Sequence, residues 1–316
     1  MVRKTQVATS KAIQRQTGKT FYFATRLLPE RVRHATYVLY AFFRLADEVV
    51  DDAEGVPPET QYEQLEILRA EALGEREPES EVLEAFCELR ERYGITDEDV
   101  RVFVDAMATD IEKSRYATYD ELEAYMNGSA SAVGRMMTAV MQPEEPERAL
   151  PHATTLGEAF QMTNFLRDVR EDIRDRDRIY LPGDTLARHG VTEEQIQEYR
   201  MDESFAAVMC EELLRTERLY REGVRGIKYL PEDCQFPVLL ASVLYAEHHR
   251  LIREIGYDVL MNEPDLGTLR KVALLLRTKW HWRRSRDPEY VFRKVSAVPS
   301  PPEPSHGRHG EGLPTR

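Results

Sequence analysis

The stretch RLADEVVDD, residues 44 to 52, places four carboxylates within its last six positions, directly behind the apolar run TYVLYAFF. Residues four apart share one helix face, so Asp47 and Asp51 stand on consecutive turns. A second set lies in QMTNFLRDVREDIRD, residues 161 to 175, where Asn164, Asp168 and Asp172 fall on three consecutive turns. Two such faces brought together offer hard oxygen donors to divalent cations. Magnesium keeps part of its water and bridges to substrate phosphates, so a diphosphate is the natural guest. Spacing alone is a weak sign, because 56 acids in 316 positions give roughly ten acidic pairs four apart by chance, most of them solvated. The surroundings separate these two sets from the rest. Asp47 follows Tyr37, Val38, Leu39, Tyr40, Phe42 and Phe43, and Asp168 follows Phe160, Met162, Phe165 and Leu166. Carboxylates on helices this apolar need a cation, an arginine or a proton to offset the water they lose.

The elements that must carry these residues read as helices. Apolar positions recur at intervals of three and four through nearly every long segment, and alternating strand-like runs are missing. Breakers are expected at AEGVPP (53–58), GEREPES (74–80), QPEEPERALP (142–151), LPGD (181–184), LPEDCQFP (230–237) and MNEPDLG (261–267), giving eight or more helices. Thr96 ahead of Asp97 to Asp99, Thr118 with Glu121, and Thr192 with Gln195 are expected helix starts. An all-α single domain over residues 1–295 is the simplest organisation. The Pro/Gly/Ser-rich segment 296–316 is expected to be a disordered tail, too poor in apolar side chains to offset the entropy of ordering.

Composition narrows the function. A formal charge of -13 argues against nucleic acid or a general attraction to anionic surfaces, so any polyanion must be met locally. The three cysteines, Cys87, Cys210 and Cys234, lie far apart without zinc-ligand spacing, which favours a reducing, cytoplasmic setting. No GxGxxG, GxxxxGK[ST] or GxSxG motif occurs, so dinucleotide, P-loop and hydrolase-elbow chemistry lack their marks. The first residues have no signal-peptide core, and no apolar run reaches the length of a membrane span. RTKWHWRRSR, residues 277 to 286, joins two tryptophans to a basic cluster and is expected either to rest peripherally on an anionic membrane or to be a buried helix end with a solvated basic face.

Taken together, KTFYFATRLLPE (19–30), YAFFRLADEVVDD (40–52), YMNGSASAVG (125–134) and QMTNFLRDVREDIRDRDRIYLP (161–182) resemble the squalene/phytoene synthase family of head-to-head prenyl transferases. The likeness extends over roughly residues 10 to 260 and is nearest to the phytoene-forming branch. It implies an isoprenoid-synthase-type helical bundle around a central cavity. It also implies magnesium, or manganese, at Asp47, Asp51, Asn164, Asp168 and Asp172. By the same resemblance Arg44, Arg167 and Arg178 contact diphosphate, although each can also simply pair with a neighbouring carboxylate. Thr20 and Phe21 match the Ser-Phe pair of the family's amino-terminal flap. Tyr40, Tyr125, Gln161, Tyr180 and Tyr245 match polar or aromatic cavity positions, with Tyr245 expected among the catalytic groups. The small residues from Gly128 to Gly134 can either leave room for an alkyl chain or allow close helix packing. One departure stands out: after YDVL (257–260) the family commonly has an arginine, whereas this chain reads Met261, Asn262, Glu263, with Arg270 and Lys271 as candidates for that contact.

The reaction so implied joins two geranylgeranyl diphosphates through a cyclopropylcarbinyl diphosphate to phytoene, without NADPH, releasing two diphosphates. The final proton goes to released pyrophosphate or to a cavity tyrosine. The alternatives are squalene synthesis from C15 chains with NADPH, and dehydrosqualene synthesis, which shares every catalytic residue and differs in cavity depth. A non-catalytic helical assembly protein of the same fold is the reading from another class. It would tolerate loss of the acidic motifs, and here both are intact.

Overall fold

The computed structural model describes residues 23–51 and 55–300. Fourteen α-helices run from Glu30 to Val295, and among the described residues there is no strand, only an isolated bridge between Arg115 and Ile179. In chain order they are α1 Glu30–Asp51, α2 Pro58–Leu73, α3 Glu81–Tyr93, α4 Asp97–Thr109, α5 Tyr119–Met126, α6 Ala132–Met141 and α7 Pro146–Arg167. There follow α8 Val169–Arg176, α9 Gly183–His189, α10 Glu193–Gln197, α11 Glu203–Val224, α12 Glu232–Glu254, α13 Thr268–Trp282 and α14 Pro288–Val295. The all-α expectation therefore holds, and no described helix is long and apolar enough to cross a membrane.

The expected starts form as read. Thr96, Thr118 and Thr192 accept hydrogen bonds from the amides of Asp99, Glu121 and Gln195, respectively. Two of the expected breaks, 142–151 and 230–237, end sooner than read, at Glu145 and Pro231. Pro151 and Pro237 each sit inside a helix, as the sixth residue of α7 and α12. So near an amino terminus, a proline deletes only one intrahelical bond, and downstream packing holds the rest of the helix.

Helix α1 shows how the core places the first acidic set. Tyr37, Val38, Phe42, Ala46 and Val50 are buried, with the Phe42 ring stacked on Phe86 at 3.8 Å and lying 5.5 Å from Phe103. Burying a side chain of this size contributes about 2–3 kcal/mol, and it fixes the rotation of α1 about its axis. Tyr40, Arg44 and Asp47 consequently line the molecule's cavity. Helix α7 is the second support, packed along α6, α11 and α12. Its Thr163 hydroxyl is buried, 2.8 Å from the Tyr220 hydroxyl and 3.1 Å from Nε2 of His249.

Between α5 and α6 the chain makes one π-helical turn, Asn127–Ser131, closed by the Ala132 amide on the Asn127 carbonyl. Such a turn inserts a residue without ending the helix, and it sets Ser129 and Ala130 against the cavity. The glycines on either side serve packing. A Cβ on Gly128 would lie 2.4 Å from the Val102 carbonyl oxygen, and one on Gly134 2.5 Å from that of Ala153.

The packed chain continues past residue 295. Val298 is buried, and Arg221 donates to the Pro299 carbonyl at 3.1 Å. The remainder of the expected tail, residues 301–316, lies outside the described residues, as do Thr20 and Phe21.

Candidate active site

The two acidic sets face one another across one cavity. Asp47 and Asp51 come from the last turns of α1, and Asn164 from α7. Asp168 is the hinge between α7 and α8, with φ -102° and ψ 14°, and Asp172 lies in the first turn of α8. The sequence suggested three consecutive turns of one helix, and the axis in fact bends at Asp168. The backbone ladder survives the bend: the Asp168 amide donates to the Asn164 carbonyl at 2.8 Å, and the Asp172 amide to the Asp168 carbonyl at 2.9 Å. All three side chains therefore still line the same recess.

Arginines join the two sides. Arg176 Nε lies 3.2 Å from Asp51 while its Nη1 lies 3.5 Å from Asp172, so a single guanidinium spans the gap between the motifs. Arg178 pairs with Asp51 at 3.0 Å and donates to the Asp110 carbonyl at 2.9 Å. Arg167 grips the adjacent Asp168 in a two-pronged pair, with Nε to Oδ1 at 2.6 Å. Arg44 lies 3.9 Å from Asp47 and 3.5 Å from Glu48, and its Nε is buried without a hydrogen-bond acceptor.

Burial and mutual repulsion disfavour charge on these carboxylates. Burial, then the neighbouring Asp51, pushes the Asp47 carboxyl up to about 7. Its side chain keeps 41% of its surface accessible, within the cavity. Burial, then Asp168, raises Asp172 to about 8. Asp110 is raised to about 6 by burial, against the pull of Arg178 and a 2.6 Å hydrogen bond from the Tyr125 hydroxyl. Clustered carboxylates whose charged forms are disfavoured are the arrangement a cation would relieve.

The residues fit magnesium in donor type. The candidate ligands are all oxygen, and the raised carboxyls mark where negative charge is disfavoured. Among the described residues no three acidic, imidazole or thiol groups converge into a complete cage. Magnesium does not need one, since it is commonly held by one or two carboxylates together with waters and phosphate oxygens.

The cavity has a volume of about 660 Å³ and also meets Tyr40, Gln161, Tyr245, His248 and Lys271. At Val133, Met137, Gly157 and Phe160 it adjoins a narrow, almost wholly apolar passage of about 120 Å³ that reaches Leu156, Ile227 and Ala241. Tyr125 and Tyr180 stack at 5.9 Å beside the acidic recess, with Tyr180 also stacked on Phe165 at 4.0 Å. Tyr245 packs against Phe160 at 4.7 Å, and burial lifts its phenol to about 12. Burial likewise holds Tyr125 well above its ordinary value. The structure thus brings every described candidate to one connected site.

Sequence reasoning passed over several site residues. Asp110 caps the carboxy end of α4, one residue past Thr109 and directly behind FVDAMAT. Arg176 stands four residues after Asp172, a spacing that marks it as a partner. His248 had no such mark; burial, then Arg167, lowers it to about 3, so it is a neutral imidazole whose Nδ1 lies 3.1 Å from the Tyr245 carbonyl. The question left after YDVL is answered in part by position. Arg270 is held by the buried Glu247 at 2.7 and 2.8 Å, whereas Lys271 lines the cavity.

A helical bundle with paired acidic turns around a diphosphate-sized recess defines a prenyl-diphosphate-processing enzyme, and comparison with known proteins agrees. Residues 14–284 match the squalene/phytoene synthase family model, and the chain belongs to that family. It is a head-to-head prenyltransferase acting on prenyl diphosphates. It is 32% identical over 271 residues to the 15-cis-phytoene synthase of Synechococcus elongatus, covering 82% of this chain and 87% of that protein. It is 34% identical to the phytoene synthase of Arthrospira platensis, covering 83% and 89%. A solved dehydrosqualene synthase with bound ligand superposes with a TM-score of 0.81 at 27% identity, covering 89% of this chain and 98% of that one.

Proposed function

We propose that the chain condenses two geranylgeranyl diphosphates head to head, through a cyclopropylcarbinyl diphosphate, to phytoene, without NADPH. The observation that carries this reading is the joining of two unlike spaces: the recess between Asp51 and Asp172, and the apolar passage beyond Phe160. A prenyl diphosphate has the same two parts.

Magnesium bound at Asp47, Asp51, Asn164, Asp168 and Asp172 would neutralise the departing diphosphate, the charge that grows as the allylic C–O bond breaks. The chain's own groups complete that work. Arg44 offers its Nε, which makes no hydrogen bond and lies 3.5 Å from Glu48, and Arg176 and Arg178 can turn from Asp51 toward phosphate oxygens. Tyr40, Gln161 and Tyr245 line the space in which the second chain meets the first cation. Phe160 and the Tyr125–Tyr180 stack wall the cations off from water, with aromatic faces that favour positive charge. A phenol held at about 12 is a poor source of phenolate at neutral pH, so Tyr245 acts as a neutral donor. The last proton then passes to an oxygen of the released diphosphate.

The likeness to the dehydrosqualene synthase favours one rival, condensation of C15 chains at the same recess. Purified protein incubated with magnesium and either C15 or C20 diphosphate, with and without NADPH, separates them by product mass. Phytoene from the C20 substrate without NADPH supports the proposal. A C30 product from the C15 substrate, with none from C20, would overturn it.

A further inference from the structure

The outer side of α13 is unlike the rest of the surface. Leu269, Leu276 and Trp280 are 89%, 62% and 52% exposed, and Val272 is exposed between them. Their spacing of three, four and four residues makes a single stripe along about three turns. Opposite it, Leu274, Thr278 and Trp282 are buried and anchor the helix. The two tryptophans therefore have different roles: Trp282 packs near Phe236 inside the molecule, and Trp280 stands outside.

Charge surrounds the stripe. Residues 268–294 contain nine lysines and arginines, seven once Arg270, paired with Glu247, and the cavity-lining Lys271 are set aside, against only Asp287 and Glu289, in a chain whose formal charge is -13. Arg284 lies 3.4 Å from the centre of the Trp280 ring. Burial and then Arg277, Arg284 and Lys294 lower the His281 imidazole, a mark of the local positive field. A second copy of this chain seated on the same stripe would set cations against cations. An anionic bilayer offers apolar depth for the leucines and the indole, with headgroup phosphates for the arginines around them.

The stripe also lies beside the site. The segment leading into α13 contributes Pro264, Asp265 and Leu266 to the cavity wall, and Lys271 of α13 itself lines it. We propose that α13 docks the protein on an anionic lipid bilayer through Leu269, Val272, Leu276 and Trp280, holding the cavity next to the membrane. The docking stands on the exposed face alone; its use, the transfer of a water-insoluble chain between bilayer and cavity, rests on the prenyl diphosphate reading.

Flotation of the full chain with vesicles tests it. Wild type should float with phosphatidylcholine vesicles containing about 30% phosphatidylglycerol, and poorly with phosphatidylcholine alone or in about 0.5 M salt. The triple variant Leu269→Ser, Leu276→Ser, Trp280→Ser should bind the anionic vesicles at least about tenfold more weakly. Because all three side chains are exposed, its melting curve and its turnover in detergent should match wild type. Arg283→Glu with Arg284→Glu should weaken binding without touching the apolar stripe. Equal flotation of the triple variant and wild type overturns the proposal. So does a wild-type dimer that the triple variant dissolves, since a second copy would then cover the face. Absence of turnover in detergent with any prenyl diphosphate would strike the catalytic reading and leave the flotation result standing by itself.

Discussion

Replacing Asp172 by asparagine should stabilise the metal-free protein while abolishing turnover. A carboxyl held at about 8 when folded, against 3.8 when unfolded, opposes folding in its charged form. The sign follows from proton counts: between these values the folded chain binds more protons than the unfolded one, so stability falls as pH rises through that window. The penalty is absent below about 3.8 and complete above about 8. Taken at face value it amounts to about 6 kcal/mol at pH 9. The recess relaxes around the charge and admits solvent, which reduces the measurable gain to about 2 kcal/mol. For a chain of this size that is about 3 °C in melting temperature. Thermal melts of wild type and Asp172→Asn in chelator at pH 9 and pH 5 read it directly, with the gap smaller at pH 5 than at pH 9. Magnesium with pyrophosphate should raise the melting temperature of wild type more than that of the variant, narrowing or reversing the order. A variant less stable than wild type in chelator at pH 9 would refute the reasoning, because Asp172 would then act as a net stabilising partner of Arg176.

Tyr125→Phe removes the 2.6 Å hydrogen bond to Asp110 and leaves a raised carboxyl with less support. It should cost about 1 kcal/mol of stability and lower kcat more than it raises KM, as steady-state kinetics and denaturant melts will show. Gly134→Ala drives a methyl to 2.5 Å from the Ala153 carbonyl oxygen, on backbone that cannot easily move. A loss of about 2–3 kcal/mol in urea unfolding is expected. Ala241→Phe fills the apolar passage without approaching the acidic recess. Turnover of C20 diphosphate should fall by about tenfold or more while C15 diphosphate is less affected, measured by product mass under matched conditions.

The fold and the acidic recess were legible for the same reason: both are written in local spacing. Period-four carboxylates on apolar helices state which face turns inward, and the Thr96, Thr118 and Thr192 starts need only their own following turn. What the sequence hid depends on distant neighbours. The breaks at 142–151 and 230–237 read too long, out to Pro151 and Pro237, because propensity is local, while the packing that keeps α7 and α12 intact comes from other helices. Asp110 is 59 residues from Asp51 in sequence and is tied to it through Arg178, a link no window of the chain contains. The difference between Trp280 and Trp282 is likewise tertiary, since a helix sets them about 200° apart and only the partner of one face decides which is buried. The small residues from Gly128 to Gly134 had two readings; close packing holds at Gly128 and Gly134, which meet backbone, while Ser129 and Ala130 line the cavity.

The central claim is that the two acidic turns grip divalent metal around one diphosphate. Crystals grown with manganese and a thiolo-diphosphate analogue of the C20 substrate test it through the metal's anomalous scattering. Peaks between Asp47 or Asp51 and the Asn164–Asp168–Asp172 side, with the analogue's phosphates among them, are the result expected. Fully bound analogue whose phosphates sit elsewhere, with manganese absent from this recess, would contradict it.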